Sequence, residues 1–432
     1  MRRWTEGMRK EKVKNIIQYA YEKVPFYINK REELHLSGGC SGKDNFVKIS
    51  DVPLVEKDEI REKNTLYSIE YLRKKDEMLC VHTSGSTGKC MEILWDKNEF
   101  NKSLLPLWLY RWKYYGIKMN DKLCYFYTSG NSDDAITNIT DYEEKGNCLG
   151  FSKNNLNEKR ILEIYKHMQE YKPVWINMQP SIAVLITDCI RKNQLKKIPE
   201  LKYIELTGEM LFDSVREQIE KVFGCRVANQ YGCYEANSIA YECPNGNLHC
   251  MEDVYVEILD DNGMETAENE DGNIVITTLE NHAMPFIRYK TGDRGMINRT
   301  CKCSCGNQNP VLRLTSGRIS DYAIREDGSR INSYVFVHAV ETVNRMFENI
   351  IQQFQIVQKD YDYFLVNLML DEELIDAGIG EREVENEFLN AIKDERLYDT
   401  EFSFEYYDEL FPEEENGKLR YFIREVGDVD KC

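Results

Sequence analysis

The chain has 432 residues, 42% of them hydrophobic and 30% charged, with a formal net charge of −18. That make-up suits a soluble globular protein with one large domain and a smaller one, and the acidity argues against nucleic acid and anionic membrane as partners. No apolar run nears the length of a membrane span, and MRRWTEGMRKEK at the amino terminus has basic residues with no apolar core behind them, so a cytoplasmic protein is expected.

In chain order, Val13, Ile16, Ile17, Ala20 and Val24 recur at helical spacing, and Pro25 is expected to stop that helix. Met78–His82 reads as a strand leading into Thr83-Ser84-Gly85-Ser86-Thr87-Gly88-Lys89. Hydroxyls, two glycines and a lysine suit a loop that wraps backbone N–H groups around a polyphosphate. It is not a GxxxxGK[ST] loop, since Thr83 stands where the first glycine should be and Cys90 where the Mg²⁺-binding hydroxyl should be. Residues 158–232 then alternate. A helix from Glu158 carries Ile161, Leu162, Tyr165 and Met168, and a strand follows at 174–178. Pro180 opens the next helix, 203–206 reads as a strand, and Asp213 is expected to cap a helix that Gly224 ends. Such alternation predicts parallel sheet. From Val254 the texture changes to hairpins, with VYVEIL, the turn Asp261-Asn262-Gly263, and a strand at 273–277. Beyond Arg318 come strands at 354–357 and 364–370, a helix at 381–393 and a strand at 402–407. The predicted fold is α/β: a large amino-terminal domain (1–317) of parallel and mixed sheets with helices and a β-rich part, and a small α+β domain (318–432).

Most of the fourteen cysteines are isolated and read as buried small hydrophobes, as at Cys124 and Cys189. Cys301-Lys302-Cys303-Ser304-Cys305 differs, and Cys243 with His249-Cys250 lies upstream. Paired thiols near a histidine in a reducing compartment read as a tetrahedral zinc site; unmetallated thiols are the bland reading.

Four further motifs fall on loops: Tyr231-Gly232-Cys233-Tyr234-Glu235, Arg288-Tyr289-Lys290-Thr291-Gly292-Asp293, Gly317-Arg318-Ile319-Ser320-Asp321 and Asn416-Gly417-Lys418-Leu419-Arg420. Singly, each has a dull explanation as a turn, a linker or a hairpin tip. Together and in this order, with HTSGSTGK before them, they resemble the adenylate-forming superfamily. Val24–Tyr27 (VPFY), VPLVEKDEI at 52–60 and YGCYEANSIAYECPNGNLHCMED are similar to its phenylacetate–CoA ligase and capsular-polysaccharide branch.

The resemblance covers nearly the whole chain. It implies ATP-dependent activation of a small-molecule carboxylic acid as an acyl-adenylate, followed by transfer to coenzyme A. Thr83, Ser84, Gly85, Ser86, Thr87, Gly88 and Lys89 would then hold the phosphates, Tyr231 and Gly232 would lie near the adenine, and Asp293 would bind the ribose. Arg318 would touch the nucleotide, and Asp321 would mark the hinge. Glu235 would help hold Mg²⁺, and Lys418 would approach the α-phosphate and the attacking carboxylate. Cys243, His249, Cys303 and Cys305 would hold a structural Zn²⁺, with Cys250 and Cys301 as rival ligands. A homodimer is the family default.

The chain departs from the family pattern at three places. Tyr234 replaces the usual Ser or Thr, where its ring is expected to reshape or occlude the acid pocket; Asn273 replaces Glu after Gly272; and Ile-Ser-Asp follows Gly317-Arg318. Trp108, Trp112, Tyr125, Tyr127 and Trp175 are aromatics available to an apolar or aryl pocket. Two other readings remain: passage of the acyl group to an amine, a sugar or a carrier thiol, and a non-catalytic nucleotide-binding module.

Overall fold

The computed structural model describes residues 6–33, 48–57, 59–60, 66–71, 74, 77–82, 91–127, 142–153, 156, 158–316, 322–348, 350–376, 378–392, 397–408, 410 and 420–427. The chain separates into two compact units. The first comprises Met1–Lys118 with Gln230–Arg318, and the second Met119–Asn229 with Ile319–Cys432. The residues after 318 thus group with 119–229.

The first unit opens with the helix Glu6–Lys23. Pro25 does end that helix, but it also starts another, Pro25–Glu33. Proline is well placed there, because the N–H it lacks would have no partner in a first turn. A hairpin follows, Leu79–His82 against Glu92–Trp95, with Leu79 opposite Trp95. The helices Lys97–Ser103 and Leu105–Tyr115 come next. Asp96 starts the first of them by accepting the N–H groups of Asn98 and Glu99. The strands Val254–Leu259, Gly272–Thr278, Tyr289–Asn298, Val311–Ser316, Leu248–Cys250 and Ala240–Glu242 then lie side by side and antiparallel. Their inward residues, among them Ile258, Ile274, Ile276 and Ile297, share one core with Val13, Ile16, Ile17, Ala20 and Val24 of the first helix. The expected turn is present: Asp260 Oδ1 accepts from the N–H groups of Asn262 and Met264, and Gly263 takes φ 78°.

Arg288 anchors the 48–57 segment to this sheet. It is buried at φ 49°, a left-handed conformation unusual for a non-glycine residue, and it donates to the carbonyls of Ser50 (3.1 Å) and Val52 (2.9 Å).

In the second unit, Tyr203–Thr207, Trp175–Met178, Leu123–Tyr127 and Cys148–Ser152 run parallel in that order, with Tyr142–Lys145 antiparallel on the edge. Ile176, Met178, Ile204, Leu206, Cys124 and Phe126 form a core with residues of the helices Glu158–Tyr171, Pro180–Lys192 and Asp213–Phe223. The last helix corrects one expectation. Its N-cap is Phe212, which makes no side-chain cap, and Asp213 occupies the first turn, where its charge complements the helix dipole. Gly224 ends the helix at φ 71° as expected.

The carboxy-terminal part of this unit holds a four-stranded sheet ordered Glu401–Tyr406, Tyr363–Leu370, Ile351–Asp360, Phe422–Arg424. Its helices include Glu381–Ala391 and a helix not expected from sequence, Tyr334–Met346. The centre is aromatic: Phe336 is fully buried, stacked on Phe422 at 5.6 Å and edged by Phe364 and Phe402. The strand Arg226–Tyr231 runs from the second unit into the first, where Gln230 and Tyr231 pair with Tyr241 and Ala240. No described helix is long and apolar enough to cross a membrane.

Candidate functional site

At the end of Arg226–Tyr231 the chain turns sharply at Gly232. A Cβ there would lie 2.1 Å from the Asn237 carbonyl oxygen and 2.7 Å from the Gln230 side chain, so only glycine lets the turn close. The turn delivers Glu235 into the interior, where it is 5% exposed. Its Oε1 accepts from the Tyr289 hydroxyl at 2.9 Å. The Cys233 thiol also lies against Glu235; burial first, and then that carboxylate, push the thiol well above its usual pKa, so it stays a neutral donor.

Asp293 follows Gly292, whose φ of 87° suits glycine alone. The Tyr231 hydroxyl donates to Asp293 Oδ2 at 2.7 Å. The Asp293 N–H donates to Thr291 Oγ1 at 3.1 Å, and the Thr291 hydroxyl donates to the Ile274 carbonyl at 3.1 Å. Burial, then the Asp293 charge, raise the Tyr231 phenol far above its usual value, so it too remains protonated. The structure therefore brings Tyr231 to Asp293 and Tyr289 to Glu235. Tyr234 is half exposed, and its carbonyl accepts from Trp95 Nε1 at 3.1 Å. The phosphate-loop residues Thr83–Lys89 lie outside the described residues, as do Arg318, Asp321 and Lys418.

The cysteine cluster assembles from two separate segments. Cys243, His249, Cys303 and Cys305 place one ligand atom each within 4.8 Å of one another, and neither Cys250 nor Cys301 belongs to the group. Cys243 Sγ is 3.7 Å from Cys303 Sγ, and Cys305 Sγ is 3.4 Å from His249 Nε2. His249 Nδ1 lies 3.0 Å from the Asn309 carbonyl oxygen, which can only accept, so Nδ1 carries the proton and Nε2 faces the thiols. Two turns shape the cluster: Gly246 N–H donates to the Cys243 carbonyl, and Gly306 N–H to the Cys303 carbonyl, both glycines at positive φ. Asn247 Nδ2 donates to Cys303 Sγ at 3.3 Å and the Asn307 N–H to Cys305 Sγ at 3.4 Å. Burial raises the Cys303 thiol, but the backbone N–H of residue 305 and the Asn245 and His249 side chains outweigh it and hold the pKa at about 5. Three soft sulfurs and one imidazole nitrogen at tetrahedral reach fit Zn²⁺.

Of the aromatics, Trp175 is buried and stacked on Tyr203 at 5.8 Å, and Trp112 is 58% exposed. The Tyr125 ring lies where a Cβ on Gly150 would be, 2.7 Å away, so Gly150 is the space that admits it. Glu209 was not singled out from sequence. Its carboxylate accepts the Ser181 N–H (2.9 Å) and hydroxyl (2.8 Å), closing the start of the Pro180–Lys192 helix, which has no side-chain cap of its own. Beside it an open cleft is lined by Val184, Met210, Phe212, Val215 and Phe354. The available signal was a carboxylate just past the end of a parallel strand.

The family model for the CapK C-terminal domain matches residues 323–425. Among curated proteins, phenylacetate-coenzyme A ligase of Thermus thermophilus is 26% identical over 364 residues, covering 81% of this chain and 77% of that ligase. Protein CapK of Staphylococcus aureus is 24% identical over 426 residues, covering 94% and 88%. A solved 2-hydroxyisobutyryl-CoA ligase in complex with 2-HIB-AMP superposes with a TM-score of 0.77 at 19% identity, covering 97% of this chain and 89% of that one. Relatives, structural neighbours and the ordered motifs together support the adenylate-forming superfamily. Within that superfamily, the relatives named phenylacetate-coenzyme A ligase and CapK, together with the CapK C-terminal domain match, support the branch that holds both.

Proposed function

We propose that this chain is an acid–thiol ligase that couples ATP to a small carboxylic acid, releases pyrophosphate and passes the acyl group to coenzyme A. The observation that carries the reading is the pair of carboxylates, Glu235 and Asp293, delivered by motifs far apart in sequence and each oriented by a tyrosine hydroxyl. Phenylacetate–CoA ligases among the relatives, and CoA ligases among the structural neighbours, support the thiol acceptor.

In this reading Asp293, oriented by the Tyr231 hydroxyl, grips the ribose hydroxyls as a carboxylate acceptor. Glu235, an oxygen ligand in a nearly dry site, fits Mg²⁺, which when bound with ATP would offset phosphate charge. Lys89 steadies the phosphates. Lys418 meets the negative charge that develops as one anion attacks another, a contribution typically of about 10²–10³ in rate. Residues 318–432 would act as a mobile domain about Asp321, serving the two half-reactions in turn. Zn²⁺ at Cys243, His249, Cys303 and Cys305 has no open position, so it would be structural.

The test is acid-dependent ATP–pyrophosphate exchange across aryl, fatty and amino acids, with and without coenzyme A. Exchange that Lys418→Ala abolishes, with ATP binding kept, supports the reading; normal exchange in that variant removes Lys418 from the mechanism. The match of residues 323–425 to the CapK C-terminal domain favours a second reading, in which an amine, sugar or carrier thiol replaces coenzyme A. Turnover trapped only by such acceptors would establish it, and no activity with any acid would favour a binding module.

A further inference from the structure

The two hydrogen bonds at the carboxylates have a reciprocal pattern. Tyr231 belongs to the Tyr231–Glu235 motif and holds Asp293 of the other motif; Tyr289 belongs to the Arg288–Asp293 motif and holds Glu235 of the first. Each motif thus carries one carboxylate and one phenol, and each phenol serves the partner's carboxylate.

Tyr289 is built for this. It is 3% exposed, its ring packs against Phe286 at 5.1 Å, and its backbone is paired with Ile276. The residue before it, Arg288, holds its left-handed φ through the Thr277 hydroxyl on its N–H and the Ser50 and Val52 carbonyls on its guanidinium. A strained residue that is over-determined on several sides fixes the direction in which the next side chain leaves the strand. That direction leads to Glu235 Oε1, which frees neither the carboxylate nor the phenol to rotate.

We propose that Tyr289 is a positioning residue of the nucleotide–metal centre, aiming the Glu235 carboxylate at the divalent cation that accompanies the triphosphate, as Tyr231 aims Asp293 at the ribose. The proposal rests on the adenylating reading above. It separates two duties that the motifs mix. Tyr289 governs the cation requirement, whereas Tyr231 governs the grip on the nucleoside.

The test compares wild type, Tyr289→Phe and Tyr231→Phe by two titrations: AMP binding without metal by calorimetry, and the Mg²⁺ dependence of ATP binding. Loss of one hydrogen bond to a charged group corresponds to about a tenfold effect. Tyr289→Phe is expected to raise the Mg²⁺ concentration at half-saturation about tenfold and to leave AMP affinity within about twofold. Tyr231→Phe is expected to do the reverse. Glu235→Asp keeps the charge and the phenol but withdraws the carboxylate by one methylene, so it should raise the Mg²⁺ requirement even if Tyr289→Phe does not fold. An unchanged Mg²⁺ requirement in Tyr289→Phe or Glu235→Asp, or equal losses in both titrations, overturns the proposal. Wild type that binds neither AMP nor ATP overturns the adenylating reading, and the proposal with it.

Discussion

Arg191, near the end of the Pro180–Lys192 helix, pairs with Asp371 at 2.8 Å, joining the early and late parts of the second unit. The Asp371 side chain is 8% exposed and the Arg191 side chain 28%. Asp371 also accepts from Gln352 Nε2 at 3.3 Å and from the Leu374 N–H at 3.3 Å. Asp371→Ala therefore strips a partly buried guanidinium and two neutral donors of one acceptor. A charged hydrogen bond contributes about 1.5–3 kcal/mol, and the exposure of Arg191 brings the pair to the low end, about 1–2 kcal/mol. Arg191→Met, Asp371→Ala and the double variant form a cycle, read by the lowest thermal transition. For a unit of this size, about 1–2 kcal/mol of coupling means single-variant losses that exceed additivity by roughly 3–6 °C. If residues 318–432 rotate between half-reactions, the same variants also change the ratio of pyrophosphate release to thioester formation. Losses that simply add would refute the pairing as an energetic link.

Three further outcomes follow from the geometry. Cys305→Ser, or prolonged chelation, should remove one equivalent of zinc by elemental analysis and lower the melting temperature; protein purified without chelator that carries no metal ends the assignment. The hydrogen bond from His282 to Glu99, and then that carboxylate's charge, raise the His282 pKa above 6.5. The stability it adds is therefore complete below about pH 6.5 and disappears as pH rises through the higher folded value, so His282→Gln should cost melting temperature at pH 6 and little at pH 9. Burial raises the Asp253 carboxyl from 3.8 to about 8, against hydrogen bonding that lowers it. The folded state then binds a proton that the unfolded chain has lost, and stability falls between about pH 4 and 8. Asp253→Asn should flatten that fall, and an unaltered pH profile would show that Asp253 is ionised in the folded protein.

The hairpin at 254–277 was legible because alternating apolar residues and Asp261-Asn262-Gly263 both point to the same local geometry. The parallel layer was legible from its alternation of strand and helix. Tyr334–Met346 escaped because valines 335, 337 and 340 favour strands locally, although Phe336, Ala339, Val340 and Val343 sit at helical spacing. The set Cys243, His249, Cys303 and Cys305 was legible from the resemblance, and the structure brings those four together without its rivals Cys250 and Cys301. Least legible were the tyrosine–carboxylate pairs: partners 54 and 62 residues apart leave no local pattern, and a tyrosine beside a motif looks like any core aromatic.

The cysteine cluster also acts on parts of the chain it never touches. Cys243 and Cys303 stand 60 residues apart, so a bound metal closes a long loop. Because the unfolded chain offers no preformed site, a metal bound there would stabilise the folded loop by mass action. The enclosed segment contains the strands Val254–Leu259, Gly272–Thr278 and Tyr289–Asn298, and with them Tyr289 and Asp293. If the cluster holds zinc and Asp293 holds the ribose, each would favour the same ordered loop, so emptying the cluster would loosen the grip on ribose without removing any group that contacts it.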